Sequence, residues 1–232
     1  MNLYAIGCSH TRYVWPTFAD ILGRGGDYDN FYNWGGSGFG NFAIMNRVIE
    51  IVDIMEPEDT IIVQWTYPAR FDFHIPGEGW YRGGNLSNNN DQVQNTINSY
   101  AFDIDSYEML TNNYIALTKS YLNSKNINYR MVGADYDVGD MPALSIANDF
   151  DIPFRKFLNV RPNVKMIKKE SDHHFTPKHH LRYLEESNFT ITEKMLHYVQ
   201  QAEEQLDMLH DWKWIQYKLE DEKLTQRVTY GK

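Results

Sequence analysis

The stretch "TIIVQW", residues 60–65, gives the clearest indication of how the chain folds. Its apolar residues run almost without a break, a pattern typical of a strand that is buried on both faces of a parallel sheet. Further strands are predicted at residues 2–6, 28–34, 127–132 and 164–167.

Segments with a helical pattern separate these strands along the chain. They lie at residues 15–22, 39–55 and 107–122, and from residue 177 almost to the end. Strands that alternate with helices form βαβ units, in which the strands are parallel. We therefore expect an α/β fold with three α/β/α layers and a mostly parallel, flavodoxin-like sheet of five strands.

The length of 232 residues and the hydrophobic content of 42% suit one domain with a sizeable core. We assign residues 1–195 to this domain, with a long polar loop insertion at about 71–105. Residues 196–232 are predicted to be a helical extension that packs on the domain's flank. The alternative is that its apolar stripe binds a partner, which would make the protein a homo-oligomer.

Charge and cysteine content narrow the classes of partner and compartment. The net charge of −9 argues against nucleic-acid and membrane-surface binding, because phosphate-rich partners need a positive surface. Cys8 is the only cysteine, so no intramolecular disulfide forms, which fits a reducing compartment. The chain also lacks a signal-peptide pattern and a run of the roughly 20 apolar residues that span a bilayer. We expect a cytoplasmic protein, and no motif implies a cofactor.

Polar or glycine-rich segments follow the predicted strands, and the carboxyl ends of parallel strands are where ligands bind. The segments are "GCSHT" from residue 7, "NWGGSGFGN" from 33, "QWTYPAR" from 64 and "SDHHFTPKHH" from 171. They supply a serine, a turn of closely approaching backbone N–H groups, and an acid with a histidine. Nucleophilic acyl transfer needs this set, because a base must activate the hydroxyl and N–H donors must stabilise the oxyanion.

In this order, the segments resemble the motif blocks of the SGNH or GDSL-type serine hydrolases. Gly7-Cys8-Ser9 is similar to the family's first block, and Asn33 with its glycine turn is similar to the second. The "DHH" of the last segment is similar to the final block. The resemblance implies Ser9 as nucleophile, His174 as base and Asp172 as the acid that orients it.

The same resemblance implies an oxyanion hole and shows two departures from the family. The backbone N–H groups of Ser9 and Gly38 are the expected donors. The third block lacks the family's asparagine, so Thr66 takes that position and its hydroxyl is the third expected donor. Loss of one donor can cost ~10²–10³ in rate. Cys8 replaces the aspartate that orders the first turn.

Substrate binding is assigned to Arg70, Trp65 and His10, which lie in or beside these segments. Arg70 is expected to pair with an anionic or sugar substrate, and a surface ion pair is the alternative. The aromatic side chains around the sheet edge suit a partly apolar ester.

Other interpretations of the same residues stay open. Ser9 could cap the following helix, and Cys8 could be the nucleophile in its place. Zinc binding by His173, His174, His179 and His180 lacks a familiar ligand spacing, and we assign no metal. The glycine turn does not match a nucleotide-binding motif.

The sequence thus predicts a serine hydrolase that cleaves a small ester, with a carbohydrate O-acetyl or acyl ester as the favoured substrate. Two alternatives remain. The chain could transfer an acyl group to a sugar, or it could be a non-catalytic binding or assembly protein that retains the fold.

Overall fold

The computed structural model describes residues 1–13, 15–77, 79–85, 103–134, 136–144 and 174–207. The strands in these residues are β1 (Asn2–Ile6), β2 (Asn30–Asn33), β3 (Thr60–Trp65), β4 (Arg70–Ile75), β5 (Gly79–Asn85) and β6 (Asn128–Gly133). The helices are α1 (Phe18–Gly25), α2 (Asn41–Val52), α3 (Ile104–Ser124), α4 (Pro177–Glu186) and α5 (Glu193–Asp207).

Four of these strands form a parallel sheet in the order β2-β1-β3-β6. Ala5 in β1 pairs with Asn33 in β2 on one side and with Ile62 in β3 on the other. The predicted fifth strand, residues 164–167, lies outside the described residues. All four carboxyl ends point to one edge, where the polar segments begin.

Side chains alternate between the two faces of this sheet, as the period of a strand requires. In β1, Tyr4 and Ile6 pack with helices α2 and α3, whereas Leu3 and Ala5 pack with α1, α4 and α5. Because both faces are covered, the central strands β1 and β3 are mostly apolar, which is the pattern seen at residues 60–65. The predicted three-layer α/β/α fold is confirmed.

Helix α1 begins later than its apolar pattern predicts. Thr17 is the N-cap, and its backbone N–H donates to the carboxylate of Asp20 at 2.8 Å, as in a capping box. Pro16 therefore precedes the helix instead of occupying its first turn. At the other end of the chain, the helical pattern after residue 177 is broken by Asn188, whose φ of 61° ends the α4 segment.

Part of the predicted loop insertion is regular structure. Strands β4 and β5 form an antiparallel hairpin in which Phe73 pairs with residue 81. The alternation of "RFDFHI", residues 70–75, is the signal for this strand, and the surrounding glycines and asparagines obscure it. Residues 86–102 lie outside the described part.

Helix α5 includes the first residues of the predicted C-terminal extension. Its Met195 and Val199 are buried against the layer that contains α1 and α4. Residues 208–232 lie outside the described part. Among the described helices, none has the length and hydropathy needed to cross a membrane.

Candidate active site

Ser9 and His174 meet at the carboxyl edge of the sheet. Ser9 lies in the turn after β1, and His174 lies immediately before α4. The His174 Nε2 atom is 2.8 Å from the Ser9 Oγ atom, although the residues are 165 positions apart in the chain. When its proton is on Nδ1, the His174 ring accepts the Ser9 hydroxyl at Nε2, which is the pairing that activates a serine.

The imidazole of His174 is held between two other rings. Tyr13 stacks on one side with ring centroids 3.7 Å apart, and His10 stacks with centroids 4.6 Å apart. Two aromatic contacts of this kind fix the plane of the His174 imidazole without occupying its Nε2 atom.

His10 is a buried, neutral neighbour of this base. Its side chain is 4% exposed, and burial lowers its pKa well below the usual value, helped by the nearby charges of His174, His180 and Arg70. The ring of His10 contacts His174, and its side chain is about as buried as that of Ser9, so the assignment of His10 to substrate binding stays a prediction.

The chain that follows His174 is fixed by the start of helix α4. The Trp15 indole N–H donates to the Phe175 carbonyl at 2.6 Å. Thr176 is the N-cap of α4, and Pro177 occupies the first turn, where a missing N–H costs nothing. The Thr176 hydroxyl is also 2.8 Å from Nδ1 of His179. The Trp15 contact and the start of α4 fix the segment that carries His174.

The turn that carries Ser9 is fixed by Gln64, a residue in strand β3. Its Oε1 atom accepts from the Cys8 N–H at 3.1 Å, the Cys8 thiol at 3.0 Å and the Thr11 hydroxyl at 3.2 Å. Cys8 is fully buried, so the thiol has no open surface from which to attack a substrate. The polar residue inside the apolar run at 60–65 was the only sequence signal for this role of Gln64.

Asn33 connects the second strand to the same turn. Its amide donates to the Thr11 carbonyl at 2.8 Å and to Asp20 at 2.9 Å. Its Oδ1 atom accepts the Gly35 N–H at 3.0 Å. Asn33 is therefore a buried structural residue that links the glycine turn to the Ser9 turn.

The glycine turn brings Gly38 into this region. The Gly36 N–H donates to the Gly7 carbonyl at 2.9 Å, which ties the turn to the end of β1. Gly38 has a φ of 81°, a left-handed conformation that favours glycine. Among the described residues, neither the Ser9 nor the Gly38 backbone N–H has a hydrogen-bond acceptor. Both predicted oxyanion donors are therefore unoccupied by protein groups in the described part.

Thr66 and Trp65 are buried at the end of β3, and the roles predicted for them stay predictions. Thr66 is fully buried, and its hydroxyl is enclosed without a hydrogen-bond partner among the described residues. Trp65 is also fully buried, and its indole N–H is 3.3 Å from the Met131 sulfur. Trp65 packs in the core shared with α2 and α3, and the backbone of Thr66 is hydrogen-bonded to Asn41 at the start of α2.

Arg70 lies between the Ser9 region and a separate cleft. Its guanidinium donates to the Phe39 carbonyl at 3.3 Å and lies 5.7 Å from the Tyr67 ring centre. The cleft has a volume of about 180 Å³, and Arg70 and Asp72 lie among its lining residues. Its apolar walls come from Phe42, Pro68, Phe71, Tyr107, Leu110 and Tyr114.

Asp72 is a buried acid that the sequence interpretation missed. Burial raises its pKa to about 6, against the N–H groups of Ala43 and Gly40, which lower it. The Ala43 N–H, at the start of helix α2, donates to it at 2.9 Å. Asp72 thus caps α2 from the hairpin, and the period-2 pattern of its strand was the available signal.

Two predicted residues, Asp172 and His173, lie outside the described residues, so the acid of the triad stays a prediction. In the described part of the chain, no group of three or more His, Cys, Asp or Glu side chains could hold a metal ion.

Comparison with known proteins adds no assignment. No protein-family model matches the chain, and no curated protein matches it either. The resemblance to the SGNH hydrolases therefore rests on the residues of this chain alone.

Proposed function

We propose that this chain is a serine hydrolase of the SGNH type that cleaves a small ester, with a carbohydrate O-acetyl or acyl ester as the favoured substrate. The observation that carries the proposal is the 2.8 Å contact between Ser9 Oγ and His174 Nε2. Two further features support it: the rings that stack on His174, and the backbone N–H groups of Ser9 and Gly38, which have no hydrogen-bond acceptor among the described residues.

The proposed reaction has two halves. The Ser9 oxygen attacks the acyl carbon while His174 takes the hydroxyl proton, and the oxyanion accepts hydrogen bonds from the Ser9 and Gly38 N–H groups. The intermediate breaks its bond to the alcohol, which leaves with the proton from His174. Water then gives a proton to His174 and attacks the acyl-serine, which releases the acid and restores Ser9.

In this proposal, Asp172 accepts the Nδ1–H of His174 and keeps the base in the required tautomer. An acid two residues before the histidine is on the same short segment, which suits this role. The expected cost of Asp172→Asn is large, roughly 10⁴-fold in kcat when the tautomer is lost.

Labelling with an alkyl fluorophosphonate tests the nucleophile directly. We expect one adduct on Ser9, located by mass spectrometry, and a labelling rate at least ~10³-fold lower in His174→Ala. Ser9→Ala should not label at all. An adduct on Cys8, or no adduct on the folded wild type, would contradict the proposal.

His179→Ala is the matched control for the base. His179 lies on the same segment as His174 and contacts Thr176 instead of Ser9. This variant should label at nearly the wild-type rate, whereas an equal loss in both variants would indicate damage to the segment instead of loss of the base.

A further inference from the structure

We propose that Asn41 is a positioning residue that holds the Gly38 N–H in place for the oxyanion, and so replaces indirectly the missing asparagine of the third block. The inference rests on the proposed function. Asn41 was not among the residues that the sequence interpretation singled out.

The segment from Gly36 to Asn41 is anchored at both ends on neighbouring strands. At its start, the Gly36 N–H donates to the Gly7 carbonyl at 2.9 Å, at the end of β1. At its end, the Asn41 side chain bonds to Thr66, the residue that follows β3. Gly38 lies between these anchors, so its position depends on both.

The Asn41 amide pairs with both backbone groups of Thr66, much as a neighbouring strand would. Its Oδ1 atom accepts the Thr66 N–H at 2.8 Å, and its Nδ2 atom donates to the Thr66 carbonyl at 2.9 Å. Asn41 is 4% exposed and Thr66 is fully buried. The Tyr136 hydroxyl also donates to the Thr66 carbonyl at 3.0 Å, so among the described residues the Thr66 N–H is the group that Asn41 alone satisfies. A buried N–H is costly to leave unpaired, which makes this contact an anchor.

Asn41 has no donor left for a substrate. Its Nδ2 atom also donates to the Thr111 hydroxyl at 3.0 Å, so both of its amide hydrogens are used within the protein. The residue therefore does not contact the oxyanion in the way expected of an asparagine in the third block. It acts through the backbone that it holds.

The connection from Asn41 to Gly38 is short and constrained. Asn41 is the first residue of helix α2, and Gly40 is its N-cap. The Phe39 N–H donates to the Gly36 carbonyl at 3.2 Å, which closes the turn around Gly38. A shift of the α2 start relative to β3 consequently moves the Gly38 amide, and oxyanion stabilisation falls steeply with such movement.

The test measures hydrolysis of p-nitrophenyl acetate and fluorophosphonate labelling of Ser9 in Asn41→Ala and Asn41→Asp. We expect kcat to fall about 10–100-fold with KM changed less than about threefold, because the lost interaction is made only in the transition state. Labelling should slow in parallel. Asn41→Asp keeps an acceptor for the Thr66 N–H but loses the donor, so it remains informative if the alanine variant does not fold.

Thr111→Val is the matched control. It removes the third hydrogen bond of the Asn41 amide and leaves both bonds to Thr66, so it should lower the melting temperature with little change in kcat. An equal fall of kcat in Thr111→Val, or a wild-type kcat in the folded Asn41 variants, would overturn the inference alone. A wild type that does not react with the fluorophosphonate overturns the proposed function, and this inference with it.

Discussion

Two buried polar regions lie at the carboxyl edge of the sheet, and each holds a turn or helix start by hydrogen bonds between a side chain and the backbone. They differ in whether that side chain is neutral or charged. In the Ser9 turn, neutral groups hold the backbone: Gln64 accepts three hydrogen bonds, and His10 is kept neutral by burial. At the start of helix α2, a carboxylate does so: Asp72 reaches from the hairpin to the Ala43 N–H. The Gln64 amide cannot change its charge with pH, whereas the Asp72 carboxyl can.

The difference follows from what each region must tolerate. Burying a neutral amide costs little free energy once its hydrogen bonds are made, so the Ser9 turn can be packed tightly. A buried carboxylate pays for desolvation, which is why the pKa of Asp72 is raised to about 6. We expect the Ser9 turn to be the more sensitive to added volume. The two regions should respond to pH with opposite signs, because Asp72 destabilises the fold as pH rises and His10 does so as pH falls.

The largest expected effect comes from adding one methyl group to the Ser9 turn. In Gly7→Ala, the new Cβ would lie 2.1 Å from the Thr11 hydroxyl and 2.8 Å from the Gln64 Cβ. We expect a loss of about 3 kcal/mol in the free energy of unfolding, measured by urea denaturation, because tightly packed sites cannot absorb such volume.

Gly77→Ala, in the hairpin turn, is the comparison for this substitution. Gly77 has a φ of 82°, and no atom lies within 4 Å of its added Cβ. The expected cost is about 1 kcal/mol, from the left-handed backbone alone. Equal losses at the two glycines would contradict the packing difference between the regions.

The second effect is a pH dependence centred on Asp72. The folded-state pKa of about 6 lies above the ordinary 3.8, so the folded chain holds the proton more tightly and its stability falls as pH rises between these values. Compared with wild type, Asp72→Asn should gain about 2 kcal/mol in unfolding free energy between pH 4 and pH 7. The measurement is the difference between the two denaturation curves at each pH. A difference that does not change with pH would mean that Asp72 is not desolvated.

The third effect, with the opposite sign, comes from His10. Its folded-state pKa is below that of the unfolded chain, so its contribution to stability is present above about pH 6.5 and is lost as pH falls. Between pH 6.5 and pH 5.5, wild type should lose about 1 kcal/mol more than His10→Phe. Phenylalanine keeps a ring against His174 and does not titrate. A parallel loss in the two proteins would show that His10 is not the responsible group.

The sheet was predictable from the sequence because its signals are local. Both faces of β1 and β3 are covered, so their residues are mostly apolar, and such a run can be recognised without knowing the neighbouring strands. The hairpin was harder, since the alternation of residues 70–75 is short and lies beside glycines and asparagines typical of loops. The start of α1 was predicted at residue 15, but the helix begins at Phe18 because Thr17 is its N-cap.

The candidate site was predictable only in part. Ser9, Gly38 and His174 stand in segments whose order along the chain resembles a known family, so their meeting was an expectation. Gln64 and Asn41 stand in the same segments, but their roles and that of Asp72 were not predicted, because each acts through a partner far away in sequence. The burial of Trp65 and Thr66 was not predicted either, because a position at the end of a strand does not reveal which layer covers the side chain.

The sequence by itself therefore determined the layers, the parallel sheet and the segments gathered at its edge, because hydrophobic period and turn residues are properties of short stretches. Only the tertiary structure decided which polar side chains at that edge hydrogen-bond to the backbone and which, such as Ser9 and His174, pair with each other. Hydrogen bonds between Asn41 and Thr66, or between Gln64 and Cys8, depend on distances that exist only after the strands are aligned. The same alignment brings His174 within 2.8 Å of Ser9.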